Sequence, residues 1–80
     1  SIFDVLINDK DFTFRTPFHY ACMNKNHQIG LLMLKDERVL KNEIDFDGNS
    51  PFHICCEKGN KELINEFLLN YVNDDDDDNS

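Results

Sequence analysis

Apolar residues recur along this chain in short helical stripes separated by polar connections. At the N-terminus Ile2, Phe3, Leu6 and Ile7 fit one stripe, which predicts a short helix already under way at Ser1. The connection "DKDFTFR" leads to Thr16 and Pro17. A hydroxyl there can cap free amides, and proline at the first helical position loses no internal hydrogen bond. Phe18, Ala21 and Cys22 follow at i, i+3 and i+4, giving a helix with a narrow buried side that should stop around Asn24 to Asn26. A second helix is expected from about Gln28 to Lys35, packing through Ile29, Leu32 and Met33. Gly30 inside it weakens propensity but lets two backbones approach. "DERVLKNEI" either extends that helix or forms a turn ending near Asn42, with Val39 and Leu40 giving it some burial.

The stretch "DFDGNSP" punctuates the chain: Asp47-Gly48 suits a tight turn, and Ser50-Pro51 repeats the cap-and-start device. The helix "PFHICCEK" should end at Gly59, a natural left-handed exit, and a last helix should run from Lys61 to about Tyr71 through Leu63, Ile64, Phe67 and Leu68. The second half thus repeats the first. Thr16, Pro17, Phe18 and His19 stand 34 residues ahead of Ser50, Pro51, Phe52 and His53, with Cys22 ahead of Cys56 and Leu34 ahead of Leu68. A recurrence at this period marks a repeat architecture and changes the meaning of every motif inside it.

Composition narrows the picture. Eighty residues allow one small domain, and 40 % apolar content lets most of it fold. No apolar run approaches the roughly 20 residues that span a bilayer, and the N-terminus lacks the features of a signal peptide. Three cysteines, two of them adjacent, favour reduced buried thiols, so an intracellular, cytoplasmic setting is expected. Asp74 to Asp78 supply five of the eight net negative charges. Nucleic-acid binding needs concentrated Lys and Arg and is not expected, nor is membrane binding; a basic partner protein is permitted. "NDDDDDNS" is expected to be disordered, because adjacent carboxylates repel and nothing apolar is buried.

The segments "TPFHYAC" and "DGNSPFHICCEKGNKELINEFL" resemble ankyrin repeats. Residues 1–10 resemble the second helix of a partial repeat, 11–44 a divergent repeat and 45–73 a well-formed one, followed by the acidic tail 74–80. The resemblance implies an all-α fold: antiparallel helix-turn-helix units stacked as a short solenoid, with hairpin-like loops projecting at roughly right angles. Its repeat residues are Thr16, Pro17, His19, Gly48, Ser50, Pro51, His53 and Gly59. The first unit departs from the pattern. Phe14 stands where Gly48 stands, Lys25 where Gly59 stands, and Glu37 to Val39 replace the usual segment after the second helix. Phe14 cannot adopt left-handed dihedrals cheaply, so the first turn is expected to differ in geometry from the second. Asn24 or Asn26 is expected to supply the unusual conformation at the first corner. Neither end reads as a polar cap, so the chain is either an excerpt from a longer array or hides its end faces by self-association.

Catalytic and metal readings fail on spacing. His19 with Cys22, and His53 with Cys56, share a helical side, but two copies in register suit a structural role, with the imidazole bonding the Thr16 or Ser50 hydroxyl and a neighbouring loop carbonyl. The resemblance adds that this histidine ties one unit to the next. Cys55 and Cys56 point about 100 degrees apart on a helix and cannot chelate as a pair. Asp45, Asp47 and Asn49 alternate as calcium ligands do, but Gly48 is fourth rather than sixth and Cys56 stands where a glutamate is needed. No catalytic residue, metal or cofactor is assigned. The expected function is a non-catalytic protein-interaction scaffold, with an ancillary targeting module of a larger enzyme or a structural spacer as the alternatives. The binding candidates are Phe14, Arg15, Asp47 and Asn49, with Arg15 available to an acidic partner group. Phe12 and Phe46 recur at the period and are expected to pack under their hairpins.

Overall fold

The computed structural model describes residues 6–79, with the side chains of residues 6–70. Ile2 and Phe3 of the expected first stripe lie outside the described residues; Leu6 and Ile7 are helical. Four helices follow among the described residues: α1 (Pro17–Met23), α2 (His27–Leu34), α3 (Pro51–Lys58) and α4 (Lys61–Asn79). Short corners join α1 to α2 and α3 to α4 as antiparallel pairs. The pairs stack, α1 against α3 and α2 against α4.

Both pairs start in the same way. Thr16 and Ser50 are extended, and each side-chain oxygen accepts from the backbone N–H of the histidine three residues on, while that histidine's ring reaches back to the cap N–H. The reciprocal pair satisfies two of the amides that a helix start leaves free. The pairs differ at their corners. Gly59 ends α3 with φ +70°, as expected. At the end of α1 neither asparagine takes a left-handed conformation: Asn24 (φ −75°, ψ 139°) and Asn26 (φ −80°, ψ 109°) are both extended. Their side chains build the corner instead, Asn24 Oδ1 accepting from Asn26 N–H at 3.0 Å and Asn26 Oδ1 from Gln28 N–H at 2.9 Å. Two short amides thus replace the dihedral freedom that Lys25 lacks.

The core comprises Phe18, Ala21, Cys22, Leu34, Val39, Ile54, Cys55 and Leu63, with Met33, Ile64 and Phe67 packed on it. The phase of α2 differs from expectation. Ile29 is 53 % and Leu32 71 % exposed, whereas Gly30 and Leu34 are buried. The cause is Leu63, whose Cδ2 would lie 2.7 Å from any Cβ at position 30. Gly30 is the face α2 must turn inward to seat that leucine, and the rotation carries Ile29 and Leu32 to solvent. "DERVLKNEI" proves to be a turn, closed by Val39 N–H on the Asp36 carbonyl at 3.1 Å; Val39 is buried and Leu40 is half exposed.

The backbone of α4 stays helical to Asn79, beyond the expected stop near Tyr71 and through the run expected to be disordered. Once a helix is nucleated on a packed face, each further residue adds a backbone hydrogen bond at the cost of fixing only itself. Among the described residues no helix is long and apolar enough to cross a membrane.

The Gly30–Leu63 contact yields a double-mutant prediction. Leu63→Ala should cost about 2–5 kcal/mol. Gly30→Ala should be net destabilising in the native background, because crowding of about 1–3 kcal/mol exceeds a helix-propensity gain of about 1. In the Leu63→Ala background the same glycine substitution should become stabilising, as urea midpoints will show.

Candidate functional site

The two projecting turns, residues 11–15 and 45–49, follow one hydrogen-bonding plan. Asp11 and Asp45 each accept on the backbone carbonyl from the residue three on, Phe14 N–H at 2.9 Å and Gly48 N–H at 3.0 Å. Each carboxylate also gathers two turn amides: Asp11 Oδ1 accepts from Thr13 and Arg15 N–H, and Asp45 Oδ1 from Asp47 and Asn49 N–H. Asp11 and Asp45 donate their own N–H to Arg15 and Asn49 carbonyls at 2.9 and 3.1 Å. The first turn therefore does not depart from the second. Phe14 takes the left-handed position at φ +64°, matching Gly48 at φ +81°.

A bulky residue there costs about 1–2 kcal/mol, and its neighbours offset it. The Phe14 ring stacks on Phe46 with centroids 4.1 Å apart and planes 18° apart. Lys10 Nζ lies 5.3 Å from the Phe14 centroid while pairing with Glu43 at 3.1 Å. Aromatic stacking of about 0.5–1.5 kcal/mol and a cation over the ring of about 0.5–1 are of the required size. The turns are also joined by backbone, Phe46 N–H donating to the Thr13 carbonyl at 3.1 Å.

The aromatics expected beneath the hairpins are on the outside. Phe12 is 87 % and Phe46 67 % exposed, and Phe14 is 46 % exposed. The turn cores are filled instead by aspartate carboxylates and amides, which leave no room for a ring. Arg15, expected to reach a partner's acid, turns inward: its Nε donates to buried Asp45 Oδ2 at 3.1 Å and its Nη2 to Asp47 Oδ2 at 3.5 Å. The guanidinium pKa is raised, chiefly by the Asp45 hydrogen bond. Burial pushes Asp45 upward, but the Asn49 amide, Arg15 and the Asp47 amide outweigh it and hold the carboxyl below its usual value. Asp11 is held far lower by Thr13 and by the Tyr20 hydroxyl, with further amides helping. Of the four binding candidates, Phe14 and Asp47 face solvent; Arg15 and Asn49 work largely within the turns. The sequence held the signal for Phe46, its recurrence at Phe12, but recurrence marks a shared position and not its burial.

His19 is fully buried and bridges the units. Thr16 N–H donates to its Nδ1 at 3.1 Å, which places the ring proton on Nε2; that nitrogen donates to the Asn49 carbonyl at 3.0 Å. His53 makes the same reach-back to Ser50 N–H at 3.3 Å but is exposed, and among the described residues no group meets its Nε2. Cys22 faces Cys55 across the α1–α3 contact rather than the histidine; both are buried, while Cys56 is exposed. The thiol–thiol hydrogen bond and burial push Cys22 far up, and the same bond lowers Cys55. A groove of about 390 Å³ lined by Asn42, Ser50, Phe52, Phe67 and Leu68 lies on the outer face of the last helix pair.

A family model for ankyrin repeats, in three copies, matches residues 1–80 of the chain. No curated protein and no solved structure matches it.

Two outcomes follow from the turn geometry. In a Phe46→Ala background, where the stack is gone and the strain remains, Phe14→Gly should raise stability by about 1 kcal/mol by thermal unfolding. In Arg15→Ala, carbon-detected titration should show the Asp45 carboxyl moving up. Its depressed native pKa gives stability that is complete above the ordinary carboxylate value of about 3.9 and is lost as pH falls, so the variant should lose less on acidification.

Proposed function

The chain belongs to the ankyrin-repeat family, and from that premise we propose that it is a non-catalytic scaffold whose turn tips dock another protein. Ankyrin repeats generally mediate protein–protein interaction and are typically non-catalytic. The observation that carries the reading is the exposure of Phe12, Phe14 and Phe46 on turns whose backbone amides and carboxylates are internally tied. Exposed aromatics on a pre-ordered backbone are suited to recognition, because little further ordering is lost when they bind. Phe14, Phe46, Phe12 and Asp47 are the proposed contacts. Arg15 and Asn49 support them from below, Arg15 by pinning two aspartates of the next turn and Asn49 by offering its carbonyl to His19.

The stacking of the helix pairs does the positioning. His19, the Thr13–Phe46 backbone bond and the Arg15–Asp45 pair all cross between units, so the two tips are held at one spacing. The Lys10–Glu43 pair ties the segments that lead into the turns, and Asn8 ties the same region by donating to the Arg38 carbonyl and accepting from Leu40 N–H, both at 2.8 Å. The proposed setting is the cytoplasm.

Affinity capture with the native chain, compared with Phe46→Ala and a Phe12→Ser/Asp47→Asn double variant, tests the reading. The expected result is specific loss of the same captured protein in both variants, with unchanged helicity by circular dichroism. Equal capture by all three would favour a spacer, or a contact elsewhere such as the Phe52–Phe67 groove.

A further inference from the structure

We propose that the turn face receives a basic segment of its protein partner, an arginine lying over the Phe46 ring and pairing with the Asp47 carboxylate. This rests on the turn tips being the docking surface and adds the chemistry of what docks there.

The molecule supplies its own precedents. On this side it twice seats a cation in a cradle made of one aromatic ring and one carboxylate. Lys10 lies over Phe14 and pairs with Glu43; the Arg15 guanidinium lies 6.0 Å from the Tyr20 ring centroid and pairs with Asp45. Phe46 and Asp47 offer the same two parts, adjacent in the chain, with the Asp47 side chain 73 % exposed. The nearest intramolecular cation, Arg15 Nη2, meets Asp47 at 3.5 Å, while its Nε is committed to the buried Asp45. This third pairing therefore presents a ring and an acid, and among the described residues no cation lies over the ring.

The sign of the surface agrees. Lys10 is paired with Glu43, and the single Arg15 is shared between Asp45 and the exposed Asp47, so the second turn keeps an excess of negative charge. An acidic partner would meet repulsion there and would find Arg15 already occupied. Phe12 extends the apolar area, so an aliphatic or aromatic neighbour of the arginine can cover it. Arginine suits the cradle better than lysine because a planar guanidinium can lie flat on a ring and still present a fork to a carboxylate.

The test is selection of a random-peptide display library on the 80-residue chain, followed by fluorescence anisotropy with the enriched peptides. Arginine should be enriched and aspartate and glutamate depleted relative to the input. Binding should fall about 5- to 10-fold in Phe46→Ala and about 2- to 5-fold in Asp47→Asn, an exposed change that leaves the core untouched. It should weaken several-fold between 50 and 300 mM salt and drop more for an Arg→Glu peptide than for Arg→Lys. Acidic or neutral peptides that still lose affinity in Phe46→Ala would overturn the basic partner and leave the docking surface standing. Peptides indifferent to both Phe46→Ala and Phe12→Ser would overturn the two together, and a selection without enrichment would overturn the basic partner.

Discussion

The stack depends on one imidazole with both nitrogens committed. His19 has no water to turn to, so each ring nitrogen must find a protein partner or leave a buried polar group unmet at a cost of about 1–3 kcal/mol. Nδ1 accepts from the cap amide of its own helix, and that choice leaves the proton on Nε2, facing the Asn49 carbonyl. The same carbonyl accepts Asp45 N–H and so closes the second turn. One ring therefore couples the start of α1 to the closure of a turn 30 residues further on. A helix start out of place in one unit would unseat the loop of the next, which is how a small chain obtains rigid loops without a large core.

The second constraint is conformational. The turn plan requires a left-handed residue at its fourth position, and in the first unit that residue is Phe14. The strain persists because the surroundings over-determine it: two carboxylate-held amides, a backbone bond to the next turn, a ring stack and a cation. A glycine would fit more cheaply but would present no ring. The strained residue and the exposed aromatic surface are thus one feature.

What was legible in the sequence was local. Thr16-Pro17 and Ser50-Pro51 announce helix starts because capping and proline's fixed φ act within a few residues, and the 34-residue recurrence exposes the architecture. What misled was long-range. Nothing near Phe14 says that Phe46 and Lys10 will hold it left-handed, and nothing near Arg15 says that Asp45 lies beneath it. The rotation of α2 is set by Leu63, which lies in another unit. At the first corner Asn24 and Asn26 advertise the break in the helix but not how it is made, since an asparagine side chain can cap an amide as readily as its backbone can turn left-handed.

Equivalent residues also acquire different roles from their place in the stack. Pro51 is buried and Pro17 exposed; His19 is buried and His53 exposed; Phe18 is buried and Phe52 only partly so. Those differences follow from which faces meet a neighbouring unit. For the same reason the Phe52–Phe67 groove, on an outer face, carries no information about display. Phe46 is different. The preceding turn packs on it, its ring touching Phe14 and its N–H bonded to Thr13, yet it remains 67 % exposed. The contact that holds the Phe46 ring therefore leaves most of it in solvent, because stacking on Phe14 covers one side of the ring while the carboxylate-filled turn beneath offers it no pocket.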